Sequence, residues 1–221
     1  MSVVLHHLNN SRSQRILWLL EELEIPYEVK RYERDLKTMR APDSLTAIHP
    51  LGKSPVLEHE GRTFAETGAI VEYILDALAK GALRPEAGTD AFYRYRFFLH
   101  YAEGSLMTPL LVKLIMGQVR DAPVPFFLKP IMKGVASKVD GNFTDPEITK
   151  HMKFLNDELK GREWFAGELS GADIMLSFPL EAAGARVELG RYANIKAFVE
   201  RVHARPAYAR ALERGGPYDY A

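Results

Sequence analysis

Apolar residues up to about position 80 switch between a two-residue and a helical period, and the switches mark out the elements. Val3 to Leu8 is β-rich and predicts a first strand, and Asn9-Asn10-Ser11 is a turn and helix-cap cluster. From Ser13 to Glu24 the apolar residues Ile16, Leu17, Leu20 and Leu23 fall at helical spacing. They predict an amphipathic helix that Ile25-Pro26 ends. Tyr27 to Tyr32 alternates with polar residues and predicts a second strand. Residues 38–49 are a loop with a short helix around Pro42 to Ala47. Two strands follow, about Val56 to His59 and Thr63 to Ala65, joined by the turn Glu60-Gly61-Arg62. A helix from Thr67 to Ala79 then buries Ile70, Val71, Ile74, Leu75 and Leu78. The order βαβαββα is a small α/β unit, an open mixed sheet flanked by helices.

Lys80 to Thr89 is rich in Gly and Pro and has no period, which makes it the expected boundary between a unit at 1–80, a linker at 81–89 and a second unit at 90–221. After it nearly everything reads helical: Asp90 to about Val119, Pro125 to Val139, Asp145 to Leu159, Gly171 to Ala185, and Ile195 to Leu212 with a break at Pro206. Ser170-Gly171-Ala172-Asp173 has the pattern of a capping box, with Leu169 and Ile174 at the positions of a hydrophobic staple. Phe92, Tyr93, Tyr95, Phe97 and Phe98 cannot all share one narrow stripe, so that helix must be covered on more than one side.

Composition narrows the function by exclusion. With 29 basic and 29 acidic residues the formal net charge is zero, so no electrostatic footprint for nucleic acid or membrane appears. The absence of cysteine excludes disulfides, thiolate metal ligands and a protein-borne dithiol, and fits a cytoplasmic chain. No secretory signal opens the sequence, and the longest apolar runs, such as Ile16 to Leu20, fall far short of the roughly 20 residues of a membrane span. The seven histidines show no metal-binding spacing, so no metal is expected.

The chemistry concentrates between His49 and Tyr73. Ser54-Pro55 opens a strand, where a proline needs no ladder donor. If that peptide bond is cis, the turn would swing the N–H and C=O of Ser54 outward toward a peptide ligand. Glu66-Thr67 stands where a strand becomes a helix, so Thr67 can cap while free N–H groups face an anion. Gly52-Lys53-Ser54-Pro55-Val56-Leu57 with Glu66-Thr67-Gly68-Ala69-Ile70 resembles the glutathione-binding half of the glutathione transferases. Ser11-Arg12-Ser13-Gln14-Arg15-Ile16-Leu17-Trp18-Leu19-Leu20 and Leu169-Ser170-Gly171-Ala172-Asp173-Ile174 agree with it, and the resemblance covers essentially the whole chain. Trp18, Ile48-His49-Pro50 and Ser177-Phe178-Pro179-Leu180 make it most similar to the subgroup that holds a yeast glutathione transferase and bacterial relatives.

The resemblance implies a thioredoxin-like N-terminal domain followed by an all-α bundle, and a homodimer formed largely by the helices at 67–79 and 90–119. It implies a cis Ser54–Pro55 bond, with Ser54 and Pro55 pairing with the cysteinyl backbone of glutathione, and Lys53 holding the glycine carboxylate. Lys37 would supply a second contact there, and Arg40 flanks the same loop. Glu66 would pair with the γ-glutamyl ammonium while Thr67 takes its carboxylate. His49 stands where the family commonly has asparagine and reads as a turn histidine. The electrophile pocket would draw on Tyr101 and Met107. Ser11 takes the place of the hydroxyl that faces the sulfur, with Asn10 and Arg12 as alternatives. A thiol titrating near pH 8.5 needs about 2.7 kcal/mol to be mostly thiolate at pH 7. A hydrogen bond to a charged group supplies roughly 1.5–3 kcal/mol, and a helix N-terminus roughly 0.3–1 kcal/mol, so one serine donor suffices. Against this, Ser11 could merely cap the helix, in competition with Asn9, Asn10 and Ser13. The expected function is glutathione transfer to an apolar electrophile. A glutathione-dependent peroxidase or lyase at the same site is the first alternative, and a non-catalytic binding module of the same fold the second.

Overall fold

The computed structural model describes residues 2–35, 38–185 and 187–220. β1 (Val3–Leu8) pairs in parallel with β2 (Tyr27–Tyr32) and antiparallel with β3 (Val56–His59), and β4 (Arg62–Ala65) completes a hairpin with β3. The sheet order is therefore β2-β1-β3-β4. A central strand is covered on both faces, which is why β1 is nearly all buried. Its two histidines are buried with partners: His6 meets Tyr32 Oη and Glu58 Oε2, both at 2.8 Å, and His7 Nδ1 lies 2.8 Å from Ser13 Oγ.

The helix after β1 differs from its sequence reading. α1 (Ser13–Glu22) stops two residues early, before Glu24 takes a left-handed φ of 52°. It is also not amphipathic in effect, because every residue from Ser13 to Leu20 is buried, Gln14 and Arg15 included. The sheet takes one side of α1, and α8 (Gly171–Gly184) and α10 (Pro206–Gly215) take the other. The amide of Gln14 finds no hydrogen-bond partner among the described residues. A short α2 (Asp43–Thr46) precedes the hairpin, and α3 (Thr67–Tyr73) follows it, running on into a π turn at Ile74–Leu78.

The helical domain opens with α4 (Asp90–Tyr101) and α5 (Met107–Arg120). The uninterrupted helix expected here is broken by a π turn at Ala102–Leu106, whose Glu103 turns back to Arg12, just before α1, and to Arg15 within it. Conversely, α6 (Lys129–Val139) and α7 (Asp145–Glu158) are joined into one continuous helical run by a π turn at Asp140–Thr144. α6 starts at Lys129 instead of Pro125, with Pro130 in its first turn, where a missing N–H costs nothing. α9 (Ala193–His203) and α10 complete the bundle. At its centre α8 is buried from Gly171 through Ala183 on all sides. The expected capping box begins it: Asp173 Oδ2 accepts from Ser170 N at 2.9 Å and Ser170 Oγ at 2.8 Å, and Oδ1 accepts from Phe165 N at 2.9 Å. Thus a thioredoxin-like domain with a four-stranded mixed sheet packs against a helical domain, with α1 between them. Among the described residues no helix is long and apolar enough to cross a membrane, and no cluster of three or more His, Asp or Glu could hold a metal.

Candidate functional site

The site forms where three turns converge at the C-terminal end of β1. In the first, Asn10 adopts φ 48°, a conformation asparagine tolerates, and delivers Ser11 and Arg12 to the start of α1. The second is the Ser54–Pro55 bend, whose peptide bond is cis as expected. Ser54 Oγ donates to the His6 carbonyl at 3.0 Å and accepts from Leu8 N at 3.1 Å, so the loop is stitched to β1 through its side chain. The backbone N–H and C=O of Ser54 have no hydrogen-bond partner among the described residues. Ser11 Oγ lies 3.4 Å from Ser54 Oγ, which brings together residues 43 positions apart.

The third turn joins β4 to α3. Thr67 does not cap the helix, contrary to expectation. It is the first helical residue and is buried, while Glu66 holds the cap position with no side-chain capping bond. The reason is backbone geometry: Glu66 has φ 69° and ψ 120°, so the helix begins only after it. A non-glycine residue there costs on the order of 1–3 kcal/mol. The first N–H groups of α3 remain uncapped, and the exposed Glu66 carboxylate has no partner among the described residues. An uncapped helix start beside a free carboxylate suits a ligand that carries both an anion and an ammonium.

Ser11 is only 5% exposed. Its Oγ lies 2.7 Å from Ser13 Oγ and accepts from Ser13 N at 3.3 Å. The alternatives to Ser11 are engaged as well. Asn10 exchanges two hydrogen bonds with Asp219, at 2.7 and 2.9 Å. Arg12 Nε donates to both oxygens of Glu103, at 3.0 and 2.9 Å. Glu103 also accepts from the buried Arg15, whose other nitrogen donates to the Met175 carbonyl at 2.5 Å. Burial acts to raise the pKa of Glu103, but the two guanidinium groups outweigh it and hold the carboxyl below its ordinary range. Both arginines stand over the Phe178 ring, and Tyr220 meets that ring edge-on at 5.7 Å. Glu103, Phe178 and Asp219 were not found from sequence as site residues. Phe178 stands within the Ser177-Phe178-Pro179-Leu180 motif, but neither Glu103 nor Asp219 carries a local signal.

Lys53 is exposed beside the bend, and His49 Nδ1 accepts from Leu51 N at 3.4 Å, as a turn histidine would. Lys37 lies outside the described residues, and Arg40 closes a loop through Asp35 N and its own carbonyl at 3.0 Å. Met107 is buried at the start of α5, a turn on from Glu103. Tyr101 is engaged with its neighbours on α4 and α7: its hydroxyl hydrogen-bonds His151 Nδ1, and its ring stacks on Phe97. A surface pocket of about 550 Å³ between Val3, Glu24, Tyr27 and His59 lies at the opposite end of the sheet from Ser11 and has no part in this arrangement.

Comparison with known proteins places these features in a family. The profile for "Glutathione S-transferase, N-terminal domain" matches residues 2–76, and that for "Glutathione S-transferase, C-terminal domain" matches residues 125–206. The chain is 33% identical to glutathione S-transferase 1 of Saccharomyces cerevisiae over 222 residues, spanning 96% of this chain and 94% of that one. It is 34% identical to glutathione S-transferase 3 of Schizosaccharomyces pombe, spanning 96% and 87%. A crystal structure of a glutathione S-transferase from Actinobacillus pleuropneumoniae superposes with a TM-score of 0.81 at 32% identity, covering 99% of this chain and 95% of that one.

Proposed function

The chain belongs to the glutathione S-transferase family, and from that premise we propose how it handles its two substrates. Glutathione lies across the N-terminal domain, its cysteinyl backbone paired with the open N–H and C=O of Ser54. Its γ-glutamyl end meets Glu66 and the start of α3 at Thr67, and its glycine carboxylate meets Lys53, with Lys37 as a second contact. The sulfur faces Ser11, whose hydroxyl stabilises the thiolate for attack on an apolar electrophile beside Met107. The carrying observation is the 3.4 Å separation of Ser11 Oγ and Ser54 Oγ. A ligand paired along Ser54 would present its central residue to that hydroxyl. We further propose that the protein acts as a cytoplasmic homodimer in detoxification.

The test is Ser11→Ala. The pH at which bound glutathione ionises should rise, and turnover at neutral pH should fall at least tenfold, the effect of losing about 1.4 kcal/mol or more. Glutathione affinity should change little. A lowered melting temperature with an unmoved thiol titration would reduce Ser11 to a structural residue and move the role to Asn10 or Arg12.

A further inference from the structure

The Ser11 hydroxyl is the outer end of a buried chain that runs inward to β1. Ser11 Oγ is 2.7 Å from Ser13 Oγ, and Ser13 Oγ is 2.8 Å from His7 Nδ1. All three residues are buried. The inner end fixes which way the protons point. Burial, helped by Arg31, pushes the pKa of His7 down to about 4, so the ring is neutral at pH 7 and carries one proton. The ring also abuts the backbone of Gly215, at the end of α10, where an added Cβ would sit 3.4 Å from His7 Cε1, and that backbone acts to favour the protonated ring. With Nδ1 on Ser13 at 2.8 Å, Nε2 is the nitrogen left to face Gly215, and we place the ring proton there, which makes Nδ1 an acceptor.

Ser13 must then donate to His7, and its oxygen accepts from Ser11. Ser54 does not compete well for the Ser11 proton, since its oxygen already accepts from Leu8 N at 3.1 Å and lies 3.4 Å from Ser11. The single proton of Ser11 thus points away from the ligand side. Around the chain, the charged groups are Arg31 of β2 facing His7, Arg12 just before α1 and Arg15 within it with Glu103, and Asp219 on Asn10.

We infer that Ser13, held by His7, competes with the glutathione sulfur for the Ser11 proton and so sets how fully bound glutathione ionises. The inference rests on the proposed role of Ser11. The only bond that breaks is the S–H of glutathione, whose proton leaves to solvent; Ser11 keeps its own proton, and its O–H rotates from Ser13 Oγ to the sulfur as the thiolate forms. Ser13 and His7 are positioning residues, since neither touches the substrate.

The experiment titrates glutathione bound to the full-length protein by its ultraviolet thiolate absorbance, in the parent and in Ser13→Ala, Ser13→Thr, His7→Phe and Ser11→Ala. Ser13→Ala should lower the titration midpoint by about half a unit to one unit, the worth of one neutral hydrogen bond. Ser13→Thr keeps the hydroxyl and should keep the parent midpoint. His7→Phe releases the Ser13 proton to Ser11 and should lower the midpoint as Ser13→Ala does, which provides the reading if Ser13→Ala fails to fold. A midpoint at or above the parent's in these two variants, with Ser11→Ala raised, overturns the inference and leaves the role of Ser11 standing. An unmoved Ser11→Ala midpoint overturns both.

Discussion

Arg15 is a buried cation kept in place by one carboxylate. Its side chain is 1% exposed, whereas that of its partner Glu103 is 31% exposed. Breaking a buried pair costs about 3–5 kcal/mol because the remaining charge is stranded. Glu103→Ala should therefore lower the unfolding free energy by about 3 kcal/mol, at the low end because Glu103 is partly solvated. Pairing it with Arg15→Met should recover most of the loss. Urea denaturation checks both, and a Glu103→Ala midpoint equal to the parent's would rule the pair out as an anchor. Two other buried groups act on pH dependence with opposite signs. His7 titrates at about 4 when folded and near 6.5 when unfolded, so the unfolded chain binds more protons between these values. Stability from His7 is then lost as pH falls through that window. Asp173 is pushed by burial up to about 6 from 3.8, so the folded state binds the extra proton. Its contribution is lost as pH rises through that window. Melting curves from pH 4 to 6.5 should show His7→Gln less acid-sensitive than the parent and Asp173→Asn more so. Parallel curves for all three would contradict both assignments.

At the scale of elements, the critical crossing is where α3 and α4 meet the start of α8. A Cβ added at Gly171 would sit 2.8 Å from Leu75 Cδ1, 3.1 Å from Val71 Cγ1 and 3.3 Å from Tyr95 Cε2. Those neighbours come from both domains, and all are buried. Gly171→Ala should cost about 1–3 kcal/mol through overpacking. Gly141, in the π turn between α6 and α7, meets nothing within 4 Å. Gly141→Ala should instead stabilise by up to about 1 kcal/mol, the helix-propensity difference. Calorimetry on the two variants should move the melting temperature in opposite directions, and a shared sign would refute the packing argument. At the same crossing a backbone bond from Gly171 N to the Leu83 carbonyl at 2.9 Å ties the helical domain to the linker.

For the whole molecule, the proposed assembly turns on aromatic surface. Tyr93 is 62% exposed and Phe97 51% exposed. With Phe98 and Phe154 they line a groove of about 310 Å³ between α4 and α7. An exposed aromatic face of this kind suits the proposed dimer contact, and it lies on one of the helices expected to form it. Sedimentation at micromolar protein should give twice the 25.0 kDa chain mass, and Tyr93→Asp with Phe97→Asp should return the monomer. A parent that sediments only as the monomer would remove the proposed dimer.

The sequence by itself determined what depends on neighbours in the chain. Hydrophobic period set the four strands and most helices, and turn chemistry set the Ser54-Pro55 bend, the Glu66-Thr67 junction and the Ser170–Asp173 box. Each is specified within a few residues, so a local pattern carries it. Tertiary structure decided what depends on distant partners. The burial of the polar side of α1 required α8 and α10 to cover it. The pairing of Glu103 with Arg12 and Arg15 and the bonds between Asn10 and Asp219, 209 positions away, left no trace in either local segment. The proton direction at Ser11 belongs to the same class. It is fixed by His7 on β1 and Gly215 at the end of α10, because a hydroxyl's single proton goes to whichever acceptor the fold brings within reach.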